Sequence, residues 1–288
     1  MIRKVAIEIS DKAFLPEAYA YCDYFRAKGL ECELVTKGMP GFLEYDAVLL
    51  FHGFHPFWRH YPKFIIGEYH SLSVGHCSRW KDALKRILNV RSDILIFLND
   101  TVRKKLWFSH RSKFLLRGMG CEKIDHLRRE AVSKKYDIVY AGSQRDGLWE
   151  YVYKFLTFGM TVAVVGNDDS YKKEGLTCFG RVSPCKAREI ILQSRYGLNF
   201  TPNVFPLNIQ DSTKVIEYCS AGLGVITNRY KWVDNFEKNR SAKFLDLDSI
   251  KNAKDISEFD FVVPDVSDLE WKTLLENTKL FELLMTSD

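Results

Sequence analysis

The chain has 288 residues, 46% hydrophobic and 27% charged, a globular composition too long for one ordinary core, so two domains are expected and long disorder is excluded. No run approaches the ~20 apolar residues that cross a bilayer, and Glu8 within the apolar start makes that segment a strand, not a signal peptide. The net charge of +5 is uneven: residues 1–130 hold 22 Lys/Arg against 15 Asp/Glu and residues 131–288 hold 20 against 22, so the first half should meet something anionic.

Short apolar runs alternate with helical patterns along the whole chain, the signature of βαβ units and mostly parallel sheets. In the first half, strands are expected at Lys4–Ile9, Glu31–Val35, Ala47–Phe51, Phe64–Gly67, Asp93–Phe97 and Lys113–Leu116. Helices are expected at Pro16–Lys28, at Arg79–Leu88 with Trp80, Leu84, Ile87 and Leu88 on one side, and from an Asn99 or Asp100 cap to about Phe108. The charged stretch 122–136 is expected to link the halves. Beyond it come strands at Asp137–Ala141, Thr161–Gly166, Thr177–Phe179, Tyr196–Phe200 and Ala242–Asp246, with helices near Trp149–Phe158 and Cys185–Gln193 and one long closing helix at Asp268–Leu284.

The segment from Asn199 to Asn228 concentrates the chemistry. A polar Pro/Asn loop precedes a short helix with Ser212 as N-cap and Gly222 as its stop, then a buried strand. Lys214 in the first turn opposes the helix dipole, which makes sense where an anion docks at that N-terminus. Spacing alone, however, favours a simple Lys214–Glu217 surface pair.

Other motifs are weaker. The dinucleotide fingerprint G-x-G-x-x-G is missing, and Gly175 to Gly180 has phosphate-loop spacing but is followed by Arg181-Val182 instead of Lys-Ser/Thr. No G-x-S-x-G occurs. Asp246 and Asp248 could bind a metal, but Asp248 suits better as a cap for the segment after it, and Asn167-Asp168-Asp169 is turn chemistry. Seven cysteines without a C-x-x-C pair indicate a reduced, cytoplasmic setting with neither disulfides nor structural zinc. His52 and His55 flank Gly53 and precede Pro56, which breaks any helix that would present both to a metal; they suit a loop wall. His70 follows a strand at its C-terminal end, where open α/β sheets place ligands, although a hydrogen-bonded structural histidine fits as well. Residues 103–117 carry Arg103, Lys104, Lys105, Arg111, Lys113 and Arg117 around Trp107 and Phe108 without an acid. They form either a solvated basic face or a surface for anionic membrane headgroups. No DNA- or RNA-binding motif accompanies them, so no nucleic acid is expected.

In this order the segments resemble the retaining glycosyltransferases of the large family 4 (group 1), over nearly the whole length. Tyr45–Gly53 resembles that family's strand leading to a histidine pair, Glu68-Tyr69-His70 its next strand, Asp93–Asn99 its "D-x-(V/I)-I-x-x-S" segment and Arg117–Cys121 its turn before the linker. Ile138–Ser143 resembles the first donor-domain strand with its phosphate-facing turn, Val164–Asn167 a "V-G-x-G" strand, and Phe179–Val182 the "F-x-G-x-V" segment whose backbone meets the nucleotide base. Ser212–Gly222 resembles the motif whose glutamate binds the donor ribose.

The resemblance implies an α/β fold of two Rossmann-like domains facing a cleft, the GT-B fold. It implies an acceptor domain at 1–124, a linker at 125–136, a nucleotide-sugar domain at 137–267 and a closing helix at 268–288. It further implies a metal-independent, retaining transfer of sugar from a nucleotide-sugar donor, a UDP-sugar as co-substrate with no other cofactor, to a glycan or lipid-linked acceptor. Such a protein would work in polysaccharide biosynthesis, in the cytoplasm or peripherally at the inner membrane face. Gly142, Ser143, Arg145, Ser212, Thr213 and Lys214 would hold the diphosphate, Arg181 and Val182 the base, and Glu217 the ribose. His70, Asn208 and Gln210 would meet the sugar. The family's second glutamate, eight residues before Glu217, is Ile209 here; Gly224 replaces a proline; and Ser10-Asp11-Lys12 stands where a glycine-rich loop is usual. A nucleotide-sugar epimerase of the same fold and a non-catalytic glycan- or nucleotide-binding subunit are the alternatives.

Overall fold

The computed structural model describes residues 2–10, 15–37, 42–51, 53–73, 77–106, 113–125, 129, 131–166 and 173–286. His52, His76, Trp107, Phe108, His110, Arg111, Asp11, Lys12 and Asn167–Asp169 lie outside the described residues. The chain divides into two compact units, Met1–Gly120 with Leu269–Asp288, and Cys121–Asp268.

The first unit is built on six parallel strands: β1 (Lys4–Ile9), β2 (Glu31–Thr36), β3 (Ala47–Phe51), β4 (Phe64–Tyr69), β5 (Ile94–Phe97) and β6 (Lys113–Leu116), in the order β2-β1-β3-β4-β5-β6. β3 and β4 are buried at every position, which is why β3 is a continuous apolar run and β4 carries a single charge, Glu68. The strand order reverses between β1 and β3. α1 (Pro16–Ala27) starts with proline and an acid in its first turn, both suited to a helix N-terminus, and packs Ala18, Tyr21 and Phe25 on the core. α2 (Ser78–Leu88) follows β4. α3 (Asp100–Lys105) is capped by Asn99, whose side chain accepts from the Val102 amide at 2.9 Å.

The second unit repeats the plan with β7 (Tyr136–Ala141), β8 (Val162–Val165), β9 (Leu176–Cys178), β10 (Ser194–Asn199), β11 (Gly224–Thr227) and β12 (Leu245–Asp246), all parallel, in the order β12-β11-β10-β7-β8-β9. Here the reversal lies between β7 and β10, so the carboxyl ends of these two strands border the crevice where open α/β sheets bind ligands. Its helices are α4 (Leu148–Thr157), α5 (Pro184–Leu192), α6 (Thr213–Ser220), α7 (Lys231–Arg240) and α8 (Ala253–Ser257). α7 and α8 occupy a stretch where the sequence pattern gave no helix. The strand expected from Ala242 shrinks to two residues.

The expected long closing helix is two helices, α9 (Trp271–Thr278) and α10 (Leu280–Met285). Lys279 between them adopts φ 54°, and the Thr278 hydroxyl takes up the freed Leu280 amide at 3.3 Å. The break suits the packing: Leu275, Leu280 and Leu284 all enter the core of the first unit beside α1, and Lys28 pairs with Glu276 at 2.8 Å.

Candidate functional site

At the carboxyl end of β7 the chain turns through Gly142, whose φ is +155°. The turn is crowded from two sides. A side chain at Gly166 (φ +93°) would place its Cβ 2.7 Å from the Gly142 carbonyl oxygen, and one at Gly142 would meet the Lys214 side chain at 3.3 Å. Glycine is therefore required where the ends of β7 and β8 converge, and Lys214 lies directly against the turn. The backbone is pinned there: the Gly142 amide donates to Val165 at 3.0 Å and the Gly166 amide to Gly180 at 2.7 Å.

Two tyrosines connect this turn to α6. Tyr218 accepts from the Ala141 amide at 2.9 Å and donates to the Leu198 carbonyl at 3.2 Å, joining α6 to both strands that flank the reversal. Gly197 makes room for it, since a Cβ there would come within 2.3 Å of the Tyr218 ring. Tyr140 donates to the Ser143 carbonyl at 2.7 Å and offers its ring face to the Lys214 ammonium 5.2 Å away.

The N-terminus of α6 is fixed by a buried polar network. Ser212 accepts from the Val215 amide at 3.4 Å as N-cap and donates to Asn199 Oδ1 at 3.2 Å. Asn199 in turn donates to Thr227 at 2.8 Å and Tyr230 at 3.1 Å. The Ser212 side chain is thus spent on holding the helix start.

The surface pair that spacing allowed does not form. Among the described residues neither Lys214 nor Glu217 closes an ion pair with the other or elsewhere. Instead both charges are disfavoured. Burial, with Arg145 nearby, lowers Lys214 to about 8, against a weak opposing pull from Glu217. Burial raises Glu217 to about 7 despite Arg188 and Lys214, with Glu122 adding to the rise. Two cations, neither in an ion pair among the described residues, beside a helix N-terminus and a glycine turn are a combination suited to an anion. A half-buried carboxyl group three residues along is suited to hydroxyl groups.

The other expected donor contacts are placed less tightly. Arg181 is exposed and Val182 half-buried in the loop before α5, which Ser183 caps. Asn208 donates to Asn203 Oδ1 at 3.1 Å while its own Oδ1 is buried with no hydrogen-bond partner among the described residues; Gln210 follows in the same loop, half-buried. Arg188 of α5, which no motif singled out, is the cation closest in effect to Glu217. Asp246, not Asp248, accepts the capping bond, from the Asp248 amide at 3.3 Å. Asp248 instead accepts from Tyr151 at 2.9 Å, and Asn252 and Asp255 form the box that starts α8. No cluster of metal-ligating side chains occurs among the described residues.

In the first unit, His70 stands just past β4 with both ring nitrogens facing carboxylates, Nε2 to Glu68 at 2.5 Å and Nδ1 to Glu17 at 3.3 Å. Glu68 also accepts from Tyr21 at 2.6 Å and pairs with Arg117. Burial opposes its ionisation, but Arg117 and His70 hold it at about 2, whereas Glu17 is raised by burial. The basic-face reading of 103–117 fails at Arg117, which is 1% exposed because Glu68 and the Trp271 ring enclose its guanidinium. Arg103 and Lys104 both pair with Asp100. His55 is buried too, Nδ1 facing Glu8 at 3.2 Å and Nε2 the Phe51 carbonyl at 2.6 Å.

No protein-family model matches the chain and no curated protein does. Solved structures do. HepE of Anabaena, in complex with UDP and glucose, aligns over 99% of this chain and 100% of its own with TM-score 0.64 and 9% identity. AviGT4, a glycosyltransferase of avilamycin A biosynthesis, aligns over 99% of both chains with TM-score 0.61 and 12% identity. The UDP-GlcNAc 2-epimerase of Methanocaldococcus jannaschii aligns over 98% of this chain and 99% of its own with TM-score 0.53 and 9% identity. The fold is GT-B. At these identities the likeness is one of architecture: two Rossmann-like units, each on its own parallel sheet.

Proposed function

We propose that this GT-B protein is a glycosyltransferase that moves a sugar from a nucleoside diphosphate donor, a UDP-sugar, to a glycan or lipid-linked saccharide. The observation that carries the reading is the pair of uncompensated, desolvated charges on α6, Lys214 against the Gly142 turn and Glu217 one helical turn on. When the anomeric C–O bond breaks, its electron pair leaves on the diphosphate, so catalysis requires positive charge at those oxygens. Lys214, Arg145 and the first-turn amides of α6, with the Gly142-Ser143 backbone, supply it without a metal. Glu217 holds the ribose hydroxyls, and the backbone at Arg181-Val182 meets the base. Asn208 and Gln210 contact the sugar in place of a second glutamate, and His70 is assigned to the acceptor. Retention at the anomeric carbon is part of the proposal, as is UDP, the nucleotide that HepE binds.

The test is a panel of UDP-, GDP- and dTDP-sugars assayed for hydrolysis and transfer with EDTA present, products resolved by mass spectrometry and the anomer by NMR. Activity that EDTA abolishes sinks the metal-free mechanism, and binding without turnover on every donor makes the protein a binding subunit. A second reading, epimerisation of the donor, is favoured by one observation: Glu17 and Glu68 flank His70 at the end of β4, a set of proton-transfer groups. Running the panel in D2O separates the two, because deuterium at a sugar carbon reports epimerisation alone.

A further inference from the structure

Helix α2 is mounted inside out. Trp80, Leu84 and Ile87, at helical spacing on one face, are 73%, 51% and 69% exposed, and none of the helix's residues is buried. The opposite face points inward: the Lys85 ammonium donates to Ser73 Oγ at 2.8 Å and lies 3.8 Å from Asp82, both side chains under 20% exposed. A surface helix of a water-soluble fold normally does the reverse. The apolar face continues onto the loop before it. Phe54, Phe57 and Trp58 are 45%, 60% and 60% exposed, both phenylalanine rings meet Trp58 edge to face, and the Phe57 amide donates to the Leu88 carbonyl at 2.8 Å. Phe57, Ala83, Arg86, Ile87, Asn89 and Arg91 line a common recess of about 550 Å³. Among the described residues of 53–60 and 77–91 the exposed Lys and Arg side chains are Arg79, Lys81, Arg86 and Arg91, and the one acid, Asp82, is turned inward.

We propose that α2 and the 54–58 loop dock the protein on an anionic lipid bilayer, the helix lying in the interface with Trp80, Leu84 and Ile87 immersed and the basic rim on the headgroups. Six large apolar side chains with tryptophan among them, flanked by Arg79, Lys81, Arg86 and Arg91, match a negatively charged interface on both counts. The surface uses none of the residues assigned to the nucleotide, so neither reading needs the other.

The test is co-sedimentation of the full chain, without nucleotide, with vesicles of phosphatidylcholine alone or containing ~30% phosphatidylglycerol. Binding to the anionic vesicles is expected to fall ~100-fold or more for the Trp80→Ser/Leu84→Ser/Ile87→Ser variant. It is expected to fall about fivefold for each of Arg79, Lys81 and Arg86 changed to Gln. Because these side chains are exposed, melting temperature and UDP affinity should be unchanged in both variants, which separates lost docking from lost folding. Tryptophan quenching by brominated lipid should drop in Trp80→Phe. Equal binding to both vesicle types, or binding that survives the triple serine variant, overturns the proposal. So does a failure to sediment, including one accompanied by a monomer–dimer equilibrium in ultracentrifugation that the serine variant removes, which would assign the face to a second copy of the chain.

Discussion

Replacing Glu217 with glutamine should make the protein more stable and a worse nucleotide binder, in a way that pH reveals. Glu217 titrates near 7 in the folded chain and ordinarily near 4.5, so the native state holds a proton that the unfolded state releases between those values. With a raised folded pKa, the ionised group costs stability: the cost is near zero at pH 4.5, grows through the window and is complete above about pH 7. The full difference corresponds to at most ~3 kcal/mol. Solvent access to the half-buried group and its attraction to Lys214 reduce that to ~1–2 kcal/mol. Glu217→Gln keeps the shape and removes the charge. Its melting temperature should therefore match that of the parent at pH 4.5 and exceed it at pH 8, by about 2–4 °C for each kcal/mol. UDP affinity at pH 8 should fall about 10- to 100-fold, the worth of hydrogen bonds from ribose hydroxyls to a charged acceptor. Differential scanning fluorimetry at the two pH values and isothermal titration with UDP read both effects. A variant equally or less stable at pH 8 would refute the desolvated-charge argument, and unchanged UDP affinity would refute the ribose assignment.

Other outcomes follow from the same structure. UDP affinity of the parent protein should decline as pH rises past about 8, where Lys214 loses its proton, and be about tenfold weaker at pH 9.5 than at 7.5 by calorimetry; a flat profile would remove Lys214 from the diphosphate. Arg117→Met strands the buried Glu68 carboxylate and should cost ~3–5 kcal/mol in urea unfolding, with much of the loss recovered in the Glu68→Gln/Arg117→Met double variant; a single-variant cost below ~1 kcal/mol would contradict the burial argument. Gly197→Ala pushes a methyl group into the Tyr218 ring and should cost ~1–3 kcal/mol by thermal melting while weakening UDP binding through displaced α6; full stability would mean that the ring moves freely.

Which of these features the sequence discloses depends on whether they are local. The strands are legible because parallel strands buried on both faces leave uninterrupted apolar runs, as in Ala47–Phe51. The bounds of α6 are legible because Ser212 and Gly222 are its own caps. The approach of Lys214 to Gly142 is partly legible, since both follow strands that flank the reversal of the second sheet, although motif order alone does not show that they touch. Buried charge is not legible. Arg117 looks like one more cation in a basic stretch, and only Glu68, 49 residues away, explains why it can be enclosed. Arg188 carries no motif, so its influence on Glu217 needs the packing of α5. The break at Lys279 escapes because nothing in the sequence marks a lysine for a left-handed conformation.

The two helices that matter most for function show opposite sides of that limit. Periodicity tells which residues share a face; it cannot tell which face turns inward. In α6 the apolar residues Val215, Ile216 and Cys219 are inside, as the ordinary rule requires, and the informative residues are two charges kept half-buried at a cost to stability. In α2 the pattern is equally regular, yet the apolar face is outside and Lys85 inside. Each arrangement lowers the stability of the isolated chain, α6 by desolvating charge and α2 by hydrating apolar surface. On the two proposals made above, a fold that tolerates both gains from them when something else is bound, an anion with hydroxyl groups at α6 and a charged apolar interface at α2. The costs in the free protein thus point to the chemistry of its partners.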